Sequence, residues 1–270
     1  STAIVNSGMA VGSGIGLISS SYLVGNGIIP WQGMMVAVLV VIACMLFVFS
    51  RVVRSKEEAD ALRDDSLPVP EGKTDIHAFF GPQMVSAYIL YFSTMYAYYL
   101  IDTWLPNFLE TERGFAGTAV GVASSLVFFA AIPGALVFSR LADKMPDRKV
   151  LIIISLELIA AAMLLFMITM GNQVLLVVGI VAYGFFGKLA VEPIIISWLS
   201  GYASSGSVAT MYGFFNFFGM MSSVVAPTIT GALSDATGTK LWGFYLAIAI
   251  ILVGTFIFFL VNRGKQSQRA

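Results

Sequence analysis

The sequence predicts an all-α protein that crosses a lipid bilayer eight times, and three observations carry that prediction. Hydrophobic residues fill 58% of the chain and charged residues only 11%, against roughly a quarter charged in an ordinary soluble domain. Eight mostly apolar runs approach the roughly 20 residues a helix needs to cross a hydrocarbon core about 30 Å thick. Lysine and arginine gather in alternate connections, where such charges set orientation. The formal net charge of zero excludes the basic face of a nucleic-acid-binding protein. Cys44 is the only cysteine and His77 the only histidine. A disulfide within the chain, a Cys/His zinc cluster and a paired-histidine metal site are therefore excluded, and no cofactor is expected. The chain begins at Ser1 without a basic leader; either its start is processed or it is a piece of a longer protein.

The first run, near 3–24, is rich in glycine and serine. Gly8, Gly12 and Gly16 recur every four residues on one helix face, a spacing that lets two spanning helices approach closely. Its "VGSGIG" only faintly imitates a phosphate loop, and no strand precedes it, so no nucleotide site is assigned. The second run covers 31–50. The polar connection 51–82 follows, and its Pro-Val-Pro-Glu-Gly stretch marks a flexible boundary. His77, near the end of that connection, reads as an interfacial side chain. The remaining runs lie near 83–105, 117–139, 149–170, 174–200, 208–232 and 241–261.

Twelve lysines and arginines fall on one side of the bilayer: Arg51, Arg54, Lys56, Arg63 and Lys73, then Arg140, Lys144, Arg148 and Lys149, then Arg263, Lys265 and Arg269. The other side holds Arg113 and Lys240. Basic short loops stay in the cytoplasm, so both visible ends and the 51–82 linker are expected inside. Eight spans satisfy that parity and seven do not, which excludes a seven-helix receptor.

The two ends of the chain resemble each other. Asn6, Gly8, Trp31 and Arg51 correspond to Asn216, Gly219, Trp242 and Arg263, offset by 210 to 212 residues. The first two spans thus look like the last two, which implies a six-helix repeat and an arrangement familiar from transporters. The loop "SRLADKMPDRK" adds a second sign. With Leu141, Ala142, Asp143, Lys144, Arg148 and Lys149 in place, it resembles the signature loop of the major facilitator superfamily, whose twelve helices form two six-helix halves. Ser139 stands where that pattern has its first glycine, and Pro146 and Asp147 interrupt the second.

"DTWLPNFLETERG", "YGFFNFFGMMSSVVAPTITGALSDATG" and "NSGMAVGSGIG" narrow the resemblance to the anion:cation symporter branch, carriers of hexuronates, other sugar acids and small carboxylates. The resemblance implies that the eight spans are helices 5–12 of that fold. Residues 1–50 would close the N-terminal bundle, 51–82 link the halves, and 83–270 form the C-terminal bundle. Its further implications are four preceding helices as the chain's partner, a small organic anion as substrate, and protons as coupling ion. It also implies the cytoplasmic membrane as location and Asp143, Lys144, Arg148 and Lys149 as a conformational latch. The loop's other reading is a solvated basic turn.

Several polar residues inside the spans are candidates for substrate binding or coupling. Lys188 and Glu192 lie one helical turn apart on one face. An unpaired charge there costs about 2.5–3.5 kcal/mol even on a lenient insertion scale. They form either a permanent structural pair, joined by Glu157, or a cavity-facing pair in which Lys188 attracts a carboxylate while Glu192 releases its partner or takes up a proton. Glu157 and Glu192 sit at comparable depth, about 12 Å from the cytoplasmic helix ends by helical rise. With one lysine between them, one carboxylate is left to carry a proton. Pro193 is expected to bend the sixth span. Tyr88, Phe92, Tyr99 and Asp102 share a face of the third span, and Tyr212, Asn216, Ser223 and Pro227 a face of the seventh. Each set either packs between helices or lines a sugar-sized cavity.

No nucleophile–base set is visible, so an enzyme is not expected. The rival readings are an organophosphate antiporter, a drug exporter, a channel, a non-transporting scaffold or an inactive fragment.

Overall fold

A computed structural model describes residues 2–52, 79–202 and 207–263, with side chains from residue 7 onward. Most of the 51–82 linker with His77, the tail residues Lys265 and Arg269, and the Asn6 side chain lie outside the described residues. The described chain is helical throughout, with no strand. It consists of α1 (Thr2–Leu23), α2 (Trp31–Val52), α3 (Pro82–Arg113), α4 (Thr118–Lys144), α5 (Lys149–Thr169), α6 (Gln173–Phe186), α7 (Lys188–Leu199), α8 (Val208–Thr237) and α9 (Leu241–Asn262). Seven stretches among these residues are long and apolar enough to cross a membrane, α6 and α7 counting as one. The 22-residue α1, expected as the first span, has the length to cross a bilayer core at about 33 Å but is not among these seven.

Local chemistry explains the helix ends. Pro82 opens α3 at a position where its missing N–H costs nothing. Gly114 closes it in the left-handed conformation, φ 70°, which glycine adopts without a Cβ clash. The third span therefore runs well past the expected 105, because the polar stretch 106–113 continues the helix beyond the hydrocarbon. Asn172 caps α6 by accepting from the Val174 and Leu175 amides.

Six spans form one bundle. α3 packs on α8 and α9, α4 on α6 and α7, and α5 on α6, α7 and α9. Two glycines let α4 and α6 touch backbone to backbone. A Cβ on Gly134 would lie 2.0 Å from the Phe185 carbonyl oxygen, and one on Gly184 would lie 2.2 Å from that of Val127. On the side opposite the 140–149 loop, Glu112 ties α3 to α9 by accepting from Thr239 Oγ1 (2.5 Å) and the Lys240 amide (2.7 Å).

α1 docks on α4 from outside this bundle. Ser21 Oγ donates to the Gly117 carbonyl at 2.9 Å and accepts from the Gly121 amide at 3.1 Å, while Asn26 Nδ2 donates to Thr118 Oγ1. The expected Gly8, Gly12 and Gly16 face is not what makes this contact. A Cβ at each of them meets nothing within 4 Å, whereas Gly14 faces the Phe129 ring. α2 buries none of its residues.

The glycine seam generates a prediction. Gly134→Ala or Gly184→Ala forces backbone to move and should destabilise the protein by about 1–3 kcal/mol, read as a lower unfolding temperature in detergent. Gly12→Ala should leave that temperature within error.

Candidate functional site

The sixth span is discontinuous, and its break lies where the charges sit. α6 ends at Phe186, Gly187 leaves the helical region (φ −79°, ψ −149°), and α7 starts at Lys188. The Gly187 carbonyl then accepts from the Ala190 and Val191 amides, so it caps the second half-helix. Pro193 lies inside α7, and the break in the span falls six residues before it, at Gly187. A glycine can turn its carbonyl away from the helix axis there. By helical rise, Lys188 is about 18 Å from Ser200 at the end of α7, near the middle of the bilayer core.

Lys188 is 5% exposed and Glu192 7%. Lys188 Nζ lies 3.0 Å from Glu192 Oε2, the only ion pair among the described residues. Tyr91 of α3 donates its hydroxyl to Glu192 Oε1 at 2.6 Å and is itself stacked on Phe215 of α8, centroids 3.7 Å apart. From the other side, Lys188 Nζ lies 4.9 Å from the centre of the Tyr98 ring, a cation–π contact. The ammonium therefore borders a carboxylate, an aromatic face and a cavity of about 20 Å³ lined by Tyr98, Val127, Tyr183 and Lys188, room for one water.

The other candidates divide. Glu157 of α5 is 1% exposed and bonds Thr94 of α3 rather than the lysine. Tyr99 and Asp102 are half-buried beside Tyr98, and Tyr99 donates its hydroxyl to the Met220 sulfur at 3.0 Å. Tyr88, also facing α8, is stacked on Phe218 at 5.1 Å. Tyr212 meets Ser200 Oγ at 3.3 Å near the cytoplasmic end of α7, and Asn216 is exposed on α8. In the 140–149 loop, Asp143, Lys144 and Arg148 are exposed, while Lys149 donates to Ser197 Oγ at 2.8 Å. Tyr91 and Tyr98, which hold the pair, escaped sequence reasoning. The signal that finds them is their spacing of seven residues, two helical turns on one face.

A membrane-spanning helical bundle with a broken span and both signs of charge buried at its centre defines an integral membrane protein built around an internal polar site. The major facilitator superfamily matches the chain over residues 1–219 and 87–270, and the chain belongs to that superfamily, whose members are transporters rather than enzymes. Among similar proteins is a D-galactonate transporter of Escherichia coli O6:H1, 25% identical over 224 residues, 77% of this chain and 52% of that protein. A quinolone resistance transporter of Acinetobacter baumannii is 24% identical over 196 residues, 72% of this chain and 44% of its own length. A protein of Agrobacterium vitis named for tartrate transport is 24% identical over 186 residues, 68% of this chain and 40% of its own length. The chain thus spans about half the length of these relatives, or less.

Removing either partner of a desolvated pair strands the other charge. Lys188→Met and Glu192→Gln should each cost about 3–5 kcal/mol of stability, and Lys188→Met with Glu192→Met should recover most of it. Thermal unfolding of the purified variants checks this; single variants as stable as wild type would show that the pair is solvated.

Proposed function

We propose that this chain is the C-terminal part of a secondary active transporter that moves a small organic anion across the cytoplasmic membrane by alternating access, with proton symport. The observation that carries the reading is Lys188, a buried cation at the start of a half-helix, paired to a carboxylate only one turn away. The positive end of a half-helix dipole and an ammonium both favour an anion. Glu192 occupies the cation when no substrate is present. An incoming carboxylate replaces it, and Glu192 keeps the Tyr91 hydroxyl as a partner while it is displaced. Tyr98 and Tyr99 offer hydroxyls and aromatic faces, and Asp102 a carboxyl, to a polyhydroxylated substrate. The printed names of the D-galactonate and tartrate relatives favour a sugar acid or related carboxylate of that kind.

In this reading residues 1–50 complete an N-terminal bundle, 51–82 link the halves, and 83–270 form the C-terminal bundle. Asp143, Lys144, Arg148 and Lys149 then form the cytoplasmic latch, and both visible ends are cytoplasmic. Buried Tyr88, stacked on Phe218, serves a contact between helices, whereas exposed Asn216 stays available to a substrate. The quinolone relative supports one second reading, a drug exporter.

Transport by the complete protein in liposomes separates these readings. Uptake of labelled D-galactonate or tartrate should saturate and should accelerate with an acidic exterior. Lys188→Met with Glu192→Met should fold and lose uptake by about 100-fold, the scale of a lost charge-assisted contact. Expulsion of quinolones without saturable anion uptake would favour the exporter.

A further inference from the structure

Glu157 is the buried ionisable group that the anion site does not use. It lies on α5 at 1% exposure, and its Oε1 bonds Thr94 Oγ1 of α3. Thr94 Oγ1 also bonds the Leu90 carbonyl oxygen, one turn back on α3, at 3.0 Å. Thr94 is the donor in both contacts, so its single hydrogen is shared between the Leu90 carbonyl and the Glu157 carboxyl. Among the described residues that shared hydroxyl is all that Glu157 meets, with no cation beside it, and a carboxyl so buried and so weakly partnered favours its protonated, uncharged form. Glu192 shows the opposite pattern. Both of its oxygens face donors, the Lys188 ammonium and the Tyr91 hydroxyl, so it accepts twice and holds the negative charge.

Charge bookkeeping agrees. The one buried lysine is already neutralised by Glu192, and an ionised Glu157 would leave a second negative charge in the bundle without a cation. Elements packed on α5 present few groups to Glu157. α3 brings Thr94, with Tyr91 and Tyr98 further along the same helix. α6 brings Tyr183, which lies within electrostatic range of Glu157. α7 brings Lys188 and Glu192, already joined to each other. α9 carries no charged residue along its length.

We infer that Glu157 is a proton-binding site, distinct from the anion site and loaded with a proton in this conformation. Tyr183, on a helix packed against α5, lines the one-water cavity that Lys188 faces. On unloading, the Glu157 O–H bond breaks, the carboxylate keeps the electron pair, and the proton passes to water. The role of this proton in transport rests on the proposed symport, whereas the protonation itself does not.

Infrared spectra of the purified protein test the protonation without any transport. A carboxylic C=O band should be present at neutral pH, persist in Glu192→Gln, move in Thr94→Val and vanish in Glu157→Gln. A band that survives unchanged in Glu157→Gln would overturn the assignment, as would a Thr94→Val band at the wild-type position.

A second arm, in liposomes, tests coupling. A gradient of about one pH unit is worth about 1.4 kcal/mol per proton, enough for about tenfold accumulation of a monoanion such as D-galactonate. Glu157→Gln should lose that accumulation while keeping exchange of labelled for unlabelled substrate within about twofold of wild type. Accumulation at the wild-type level in Glu157→Gln would overturn the coupling role. A wild-type protein that shows the band but moves no anion would leave the proton site standing and sink the transport reading.

Discussion

Burying Lys188 and Glu192 one helical turn apart near the centre of the bilayer constrains the structure around them. Neither charge is stable there alone, so each has been given a second partner from α3: the Tyr91 hydroxyl for the carboxylate and the Tyr98 ring for the ammonium. Those two tyrosines must then be fixed themselves. Tyr91 is clamped by Phe215 and by Gly219, where a Cβ would lie 2.2 Å from its ring. Tyr98 is braced edge-on by Phe128 at 6.0 Å. The packing of α3 against α4 and α8 is thereby tied to the state of one ion pair, a connection through which binding can be felt between helices.

The break at Gly187 serves the same pair. A continuous helix would bury the backbone around Lys188 in regular bonds, whereas the half-helix start leaves a positive dipole end beside the ammonium. Close packing of Gly184 and Gly134 then seals α6 against α4 just before the break. The outcome is a rigid wall with one polar interruption. Irregular backbone at membrane depth is tolerated where it lines such an interior site.

Much of the fold was legible because a bilayer leaves the chain few choices. Apolar run lengths located the spans, and an i, i+4 spacing was enough to join Lys188 to Glu192. Other features depend on three-dimensional packing. The run "YFSTMYAYYL" offers aromatic residues to every face of α3, so composition alone could not single out Tyr91 and Tyr98. Tyr88 and Tyr99 share a periodicity and both meet α8, yet Tyr88 is buried against Phe218 while Tyr99 stays half-buried beside Tyr98, because helix crossing decides how deeply each part of a face is covered. Proline was the stronger breaker by propensity, but a capping carbonyl at Gly187 decided where the span parts. Asn216 is exposed on α8 among the described residues, which polarity alone does not reveal.

The central claim is that the Lys188–Glu192 pair opens for a substrate anion instead of serving only to hold the helix together. Exchanging the two residues, Lys188→Glu with Glu192→Lys, keeps the net charge and the one-turn spacing. Saturable uptake of a labelled sugar acid by this protein in liposomes, beside its unfolding temperature, is the most direct measurement. A working site predicts a variant that folds with near-wild-type stability and moves no substrate, because the cation has left the start of the half-helix and the Tyr98 face. Wild-type uptake by the exchanged protein would contradict the claim and make the pair a purely structural one.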